Sequence, residues 1–247
     1  MAQPETIHDG GSAPLLTVSG AAAGYGKKRV LDDVGLSLGR GEAIAVLGHN
    51  GAGKTTLLQA VFGLQPLWQG QMSFAGRRLG PAHSPRTAVA MGMAMIPAER
   101  FVFPDLTVLD NLRLSAVGLN AADHRMILDT AYAHFPILRE RGGQLAGAMS
   151  GGEQRMISLA MALMRKPRLL LLDEPSLGLS PAIVEQVMTR VRGLVAAGMS
   201  VILVEQNIPA ALSVASRVYM LRSGRVILEE SAKALEARGR EGWWDLF

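Results

Sequence analysis

The segment Gly48-His49-Asn50-Gly51-Ala52-Gly53-Lys54-Thr55, followed by Thr56, fits the pattern G-x-x-x-x-G-K-[ST]. At this chain's own residue frequencies the pattern arises by chance roughly 0.006 times in a chain of this length. Its context narrows the fold. The apolar run at 43–47, bounded by Gly41 and Gly48, reads as a buried strand. A helix is expected from about Lys54, because Leu57, Leu58, Val61 and Phe62 recur at helical spacing. Strand, glycine-rich loop and helix in that order cradle a triphosphate. Glycines let successive backbone N–H groups turn inward, and the helix N-terminus adds the positive end of its dipole. Lys54 would reach the β- and γ-phosphates, and Thr55 would give its hydroxyl to Mg2+. The plainer alternative is a glycine turn that only caps a helix, and the buried strand before it argues against that.

The rest of the chain supplies the sheet that such a strand needs. Strands are expected at 15–19, 30–38, 71–74, 91–96, 169–172, 201–204 and 217–220, with a helix at 182–196. Strands alternating with helices imply a mainly parallel sheet covered on both faces, hence an α/β fold. The alternation of Met91, Met93 and Met95 reads as core packing. Residues from about 100 to 166 differ in texture: they are broken by Pro and Gly and carry helical stretches at 108–117 and 123–135. They read as a helical insertion.

A second motif belongs at the tip of the sheet. Leu169-Leu170-Leu171-Leu172-Asp173-Glu174 is an apolar strand ending in two carboxylates. A doubly buried strand would not carry acids at its tip without a cation or substrate there. In open α/β sheets ligands sit at the carboxyl ends of the strands, next to the phosphate loop. Asp173 would hold Mg2+, directly or through water, and Glu174 would orient or deprotonate an attacking water. An acidic turn after a core strand is the blander reading, and the neighbouring phosphate loop weakens it.

A third segment narrows the class. Met149-Ser150-Gly151-Gly152-Glu153-Gln154 stands just before a helix carrying Met156, Leu159, Ala160 and Leu163. A Ser hydroxyl, open N–H groups and a helix N-terminus form a second anion site, although Ser-Gly is also a common helix cap. If the two anion devices cannot face each other within one chain, two chains in head-to-tail opposition would bring them together.

The set GHNGAGKTT, MSGGEQRM, LLLLDEPSLGL and VEQN, in this order, resembles the ATP-binding subunits of ABC transporters over residues 15–228. IPAERFVFPDLTVLDNL, DEPSLGLSP and ILVEQN give a further likeness to the branched-chain amino acid importer ATPases, the LivF-like group. The resemblance implies a P-loop ABC ATPase core, an N-terminal antiparallel β subdomain and an inserted helical subdomain. It places the ATP-binding domain at 15–230, between a tail at 1–14 and a C-terminal helix and tail at 231–247. Tyr25 matches the aromatic that stacks on adenine. Ser150, Gly151 and Gly152, with Glu153 beside them, match the signature that contacts the γ-phosphate held by the opposite subunit. Residues 176–179 match the loop along the dimer interface, and 101–112 lie where the membrane subunit's coupling helix docks. Three positions depart from the pattern, one of them Leu179, where the family's loop after the carboxylate usually has Asp. The family's usual Gln after the strand ending near Pro97 is Ala98, with Glu99 one position late, and its usual switch His is Gln206. A Gln can hydrogen-bond a γ-phosphate but takes up no proton at neutral pH.

The implied protein is an ATPase powering solute import, with ATP and Mg2+ as its cofactors. Its implied partners are a second ATPase subunit, identical or homologous, integral membrane permease subunits and, indirectly, an extracytoplasmic solute-binding protein. Its implied place is the cytoplasmic face of a bacterial plasma membrane. Hydrophobic amino acids are the implied cargo, with urea or amides as near alternatives. Composition narrows the field further. No apolar run approaches the ~20 residues of a spanning helix. The first fourteen residues lack the basic-then-apolar order of a secretory signal. There is no cysteine for a disulfide or thiolate metal site. At a net charge of +4, with signs interspersed and no Lys/Arg block, the chain has no footprint for nucleic acid. A regulatory subunit with weak hydrolysis is the main rival, and an ABC ATPase acting on ribosomes or DNA a second. The C-terminal Trp243-Trp244-Asp245-Leu246-Phe247 is expected to pack on its own domain.

Overall fold

A computed structural model describes residues 13–99, 101–118 and 120–244. Most of the expected N-terminal tail (1–12), Arg100, Leu119 and the last three residues lie outside the described residues. The chain opens with β1 (Leu16–Tyr25), β2 (Lys28–Leu38) and β3 (Ala43–Leu47), and α1 (Lys54–Phe62) follows the glycine loop. Next come β4 (Gln69–Phe74), β5 (Arg77–Leu79), α2 (Pro85–Ala90) and β6 (Met93–Ile96). The helical stretch comprises α3 (Val108–Ser115), α4 (Ala121–His134), α5 (Pro136–Glu140) and α6 (Gly151–Leu163). Then follow β7 (Leu169–Asp173), α7 (Pro181–Ala196), β8 (Ser200–Glu205), α8 (Ile208–Leu212), β9 (Arg217–Arg222) and β10 (Arg225–Ser231). The chain closes with two short helices, α9 (Ala232–Ala237) and α10 (Gly239–Trp244), where one was expected.

Two sheets form. The first is antiparallel, in the order β2-β1-β4-β5. The second runs β10-β9-β3-β8-β7-β6, parallel except for β10. Strands β3, β7 and β8 are buried at every residue, as their unbroken apolar runs require of central parallel strands. Their register sets the site: Leu47 is opposite Glu205, and Asp173 is opposite Val204. The carboxyl ends of β3, β7 and β8 therefore share one edge.

Each face of the large sheet has its own core. One face packs Ile44, Val46, Leu169, Leu171, Ile202 and Val204 against α1 and the antiparallel sheet. The other packs Ala45, Leu47, Leu170, Leu172, Val201 and Leu203 against α6 and α7. Leu112, Ile127, Phe135 and Leu138 of the helical stretch join that second core, so the insertion shares a core with the sheet. Met93 is buried, with Met91 and Met95 packed beside it, as the methionine alternation implied. Trp243 donates its indole N–H to the Leu235 carbonyl at 2.8 Å and packs on the second core, fixing the C-terminal helices on their own chain.

Candidate nucleotide-binding and hydrolysis site

The glycine loop turns sharply at Gly53. As N-cap of α1 it adopts φ +105°, in the region where a side chain is strained. Lys54 is buried although it is a lysine. Its ammonium donates to the carbonyls of Gly48 (2.8 Å) and His49 (3.1 Å) and pairs with Glu174 Oε1 at 3.2 Å. The side chain is thus folded back onto the carbonyls of its own loop, where the Ala52 N–H is also held by the His49 carbonyl at 3.1 Å. His49, Asn50 and Gly51 are exposed, and Ala52 is buried. Together with Leu221, Arg222 and Ser223, these four residues line a recess of about 290 Å3.

Glu174 follows directly from β7 and has φ +43°, a left-handed conformation uncommon for non-glycine residues. Its N–H is held by the Val204 carbonyl at 2.9 Å. This geometry turns the carboxylate toward the loop. Gln206, just past β8, donates from Nε2 both to Glu174 Oε1 (2.9 Å) and to Asn50 Oδ1 (2.8 Å). Lys54, Asn50, Glu174 and Gln206 therefore converge on one point, from three different strand ends.

Beside them, the Thr55 hydroxyl donates to Asp173 Oδ1 at 3.1 Å. Two oxygens that far apart match the edge of about 2.9 Å between adjacent ligands of Mg2+ at about 2.0–2.1 Å. Asp173 is 3 % exposed, and burial pushes its carboxyl pKa upward despite the Thr55 hydrogen bond. A carboxylate so desolvated gains from a cation. Among the described residues, no group of three or more His, Cys, Asp or Glu stands ready for a metal.

Tyr25 ends β1 half exposed, its hydroxyl donating to Gln59 Oε1 (2.7 Å) and lying 3.4 Å from Thr56 Oγ1. Its ring therefore stands beside the first turns of α1, while Thr56 itself is buried. Ser150 is the N-cap of α6. It accepts from the Glu153 N–H at 3.3 Å and donates its own N–H (2.9 Å) and hydroxyl (2.8 Å) to Glu153 Oε2. These contacts hold the Glu153 carboxyl below its usual range. All of these bonds of Ser150 close on Glu153, and none runs to the Lys54 cluster. The structure thus groups Asn50, Lys54, Thr55, Asp173, Glu174 and Gln206, and sets Ser150, Gly151, Gly152 and Glu153 apart from them.

The sequence profile described as "ABC transporter" matches residues 31–177, more than half of the chain. The high-affinity branched-chain amino acid transport ATP-binding protein BraG of Pseudomonas aeruginosa is 40% identical over 221 residues, 90% of this chain and 94% of its own. The chain belongs to the ABC transporter ATP-binding family. The probable branched-chain amino acid transport ATP-binding protein LivF of Archaeoglobus fulgidus is 37% identical, over 86% of this chain and 90% of its own. Among solved structures, an ATP-binding subunit of an ABC transporter is 29% identical with a TM-score of 0.79, over 94% of this chain and 99% of its own. CbiO1 of Clostridium perfringens, part of the CbiONQ ABC transporter complex, superposes with a TM-score of 0.83 over 92% of each chain; at 23% identity it speaks for the fold alone. As a member of this family the chain binds ATP and is an ATPase coupled to transport.

Three polar residues of this ABC ATPase escaped the sequence reading. Glu205, at the end of β8, is 1 % exposed and accepts the N–H groups of Ser176, Gln206 and Asn207. Arg155, inside α6, is 2 % exposed. It donates to the carbonyls of Pro97 and Ala98 at 3.2 Å each and lies 3.8 Å above the Phe101 ring. Burial drives its guanidinium pKa down to about 10. Asn111 ties down the irregular segment before α3: it accepts from the Phe103 N–H (2.8 Å) and donates to the carbonyls of Phe103 and Thr107 (3.0 Å each). All three lie inside segments quoted above, VEQN, MSGGEQRM and IPAERFVFPDLTVLDNL, whose spacing singles out their neighbours; only a buried position inside a patterned strand or helix would have flagged them. Ala98, in place of the usual Gln, offers its carbonyl to Arg155, and Glu99 is exposed.

Proposed function

We propose that this ATPase is the nucleotide-hydrolysing subunit of an importer for branched-chain or similar hydrophobic amino acids, working as half of a pair. The observation that carries the reading is the convergence of Lys54, Asn50, Glu174 and Gln206 beside the Thr55–Asp173 pair, while Ser150 is held elsewhere by its own cap. The cluster has a charge for the phosphates, a carboxylate for the water and oxygen donors for a cation. A donor set from a second subunit would complete the cluster, and Ser150 with the N–H groups of Gly151 and Gly152 is such a set. The names of the two similar proteins support the cargo, and the membrane permease pair and cytoplasmic-face location follow from the same reading. No described helix is long and apolar enough to cross a membrane; in this reading the permease subunits make the link.

In this mechanism the backbone N–H groups of 49–54 hold the β-phosphate, Lys54 leaves Glu174 for the β- and γ-phosphates, and Tyr25 stacks on the adenine while Thr56 stands by the α-phosphate. Thr55 and Asp173 would hold Mg2+, which when bound neutralises charge building on the phosphate oxygens. Glu174, freed from Lys54, accepts the proton of the attacking water, and Gln206 keeps its carboxylate pointed at the γ-phosphate. Glu153 holds Ser150 in place; a carboxylate has no proton to offer a phosphate. Catalysis is positioning and charge stabilisation. The half-buried Phe101, the exposed Phe103 and the segment to Leu112, fixed by Asn111, are the surface we assign to the permease. We also assign residues 15–230 to one ATP-binding domain with the helices of 100–166 as its inserted part.

The test is Glu174→Gln in the reconstituted transporter. It should retain ATP, stop turning over and trap a stable pair of ATPase subunits. Turnover at the wild-type rate would remove Glu174 from its role. Repeating the substitution in each ATPase subunit of a mixed pair separates a hydrolytic subunit from a regulatory one.

A further inference from the structure

Glu205 is a buried carboxylate among apolar strands, and its partners are unusual. Oε1 accepts the Ser176 N–H at 2.9 Å, and the Ser176 side chain also hydrogen-bonds the carboxylate; Oε2 accepts the N–H groups of Gln206 (3.1 Å) and Asn207 (3.3 Å). None of the ion pairs among the described residues includes it. An ionised carboxylate removed from water is unfavourable unless several donors face it. Packing alone gives no reason for it, since the four residues before it in β8 are Val201, Ile202, Leu203 and Val204. What it does is address two loops at once, one with each oxygen. Ser176 lies two residues past Glu174, in the loop that leaves β7. Gln206 and Asn207 begin the segment that leaves β8, where the Asn207 side chain then caps α8.

The segment so fixed carries the amide that holds Glu174. Gln206 Nε2 has two hydrogens, and both are spent, on Asn50 Oδ1 and Glu174 Oε1. The bridge spans the glycine loop, the β7 tip and the β8 tip. We propose that Glu205 is a positioning residue for ATP hydrolysis: its carboxylate locks the loop after Glu174 to the segment bearing Gln206, and so sets the amide that aims Glu174. The proposal rests on Glu174 being the group that activates water. A neutral amide at 205 cannot replace the carboxylate. Its one oxygen can serve Ser176 or the 206–207 pair, while its NH2 meets the N–H groups of the other side.

The experiment compares Glu205→Gln, Gln206→Ala and the double variant in the reconstituted transporter, measuring kcat and KM for ATP, with Glu174→Gln as control. Each single variant should lose roughly ten- to hundred-fold in kcat, the scale of a misplacement of about 1 Å, with KM within about twofold. The double variant should be no slower than Gln206→Ala, because Glu205 acts through Gln206. A residue whose loss only loosens the site would instead lower kcat and raise KM more than twofold, or multiply its loss with that of Gln206→Ala. Either result overturns the proposal, as does a Glu205→Gln kcat within twofold of wild type. If Glu205→Gln does not fold, the half-buried Gln206 decides: a Gln206→Ala kcat within twofold of wild type removes the bridge. Hydrolysis that survives in Glu174→Gln would instead sink the reading of Glu174, a separate outcome.

Discussion

Gly151 and Gly152 are neighbours at the start of α6, and the structure gives them different reasons to be glycine. A Cβ on Gly152 would lie 2.5 Å from Ile183 Cγ2 of α7, with Cδ1 at 3.5 Å. Ordinary contact needs about 1 Å more, and a branched side chain on a helix has little rotamer freedom to give way. Overpacking of this kind costs about 1–3 kcal/mol. A helix gains about 0.5–1 kcal/mol when alanine replaces glycine, so Gly152→Ala should lose about 1–2 kcal/mol net. At about 2–4 °C per kcal/mol for a chain of this size, that is a drop of several degrees in Tm. A Cβ on Gly151 meets only Leu179 Cδ2 at 3.1 Å, the far end of a flexible side chain. Gly151→Ala should therefore melt within about 1–2 °C of wild type. If Gly151 is bare because a partner's phosphate approaches it, that variant should still lose most ATPase activity in the reconstituted transporter. Differential scanning calorimetry and steady-state ATPase, run on both variants, check the pair of statements. Two results would refute the reasoning. A Gly151→Ala melt as low as that of Gly152→Ala would place the constraint inside the chain. Full ATPase with a wild-type melt would mean that nothing approaches Gly151 in the assembled enzyme.

Three further outcomes follow from the same geometry. Tyr25→Ala should weaken ATP binding by the worth of one aromatic–base stack, about 1–3 kcal/mol, while Tyr25→Phe binds like wild type; titration with a fluorescent ATP analogue reads this, and an unchanged Kd in the alanine variant would remove Tyr25 from the adenine site. Ser150→Ala should cost about 0.5–2 kcal/mol through loss of the α6 cap, visible as a lower Tm without nucleotide, and should abolish ATPase beyond what that loss explains. Asp173→Asn should raise the Tm of nucleotide-free protein at neutral pH. Burial raises the Asp173 pKa in the folded state above its ordinary 3.8, so this carboxylate withdraws stability as pH climbs past 3.8 through the raised value. The gain should shrink in mildly acidic buffer, where the wild-type carboxyl is protonated, and Mg2+ should no longer add to the stabilisation by ATP.

Where a segment's pattern matched its burial, its place in the fold was legible in the sequence. The run at 43–47 is β3 residue for residue, and 169–172 and 201–204 need only their ends extended, because strands buried on both faces read as continuous apolar runs. The strand expected at 15–19 instead continues to Tyr25. Its second half, Gly20 to Gly24, is alanine and glycine, residues with little strand preference. Pairing with β2, Ala21 opposite Val34 and Ala23 opposite Leu31, makes it a strand despite that, with three irregularities in register. The extension is what delivers Tyr25 to α1. β5 and α2 were missed because three and six residues are too short for a period to show. The phosphate loop, the acidic strand tip and the Ser-Gly-Gly cap were visible because each joins several residues at fixed spacing. Arg155 acts on carbonyls distant in sequence, and Glu205 joins the distant Ser176 to its own neighbours Gln206 and Asn207; only coordinates bring those groups together.

The cap on α6 also bears on how two such subunits could part. Ser150 uses its hydroxyl proton on Glu153, so the helix start is satisfied in the isolated chain. Reaching a γ-phosphate would require only that this one proton turn away, since the bond from the Glu153 N–H to the Ser150 oxygen can stay. The exchange replaces one hydrogen bond to a charged acceptor with another, so its net worth per site is small compared with a bond formed from nothing. A contact of that size is held while the phosphate charge is present and its alternative partner stands 2.8 Å away once the charge has gone. On this account Glu153 supplies the return partner for Ser150. Gln at this position would keep an acceptor for the cap but remove the negative charge that competes with phosphate, and so should tighten the ATP-bound pair of subunits and slow its separation, read by size-exclusion chromatography with ATP and after hydrolysis.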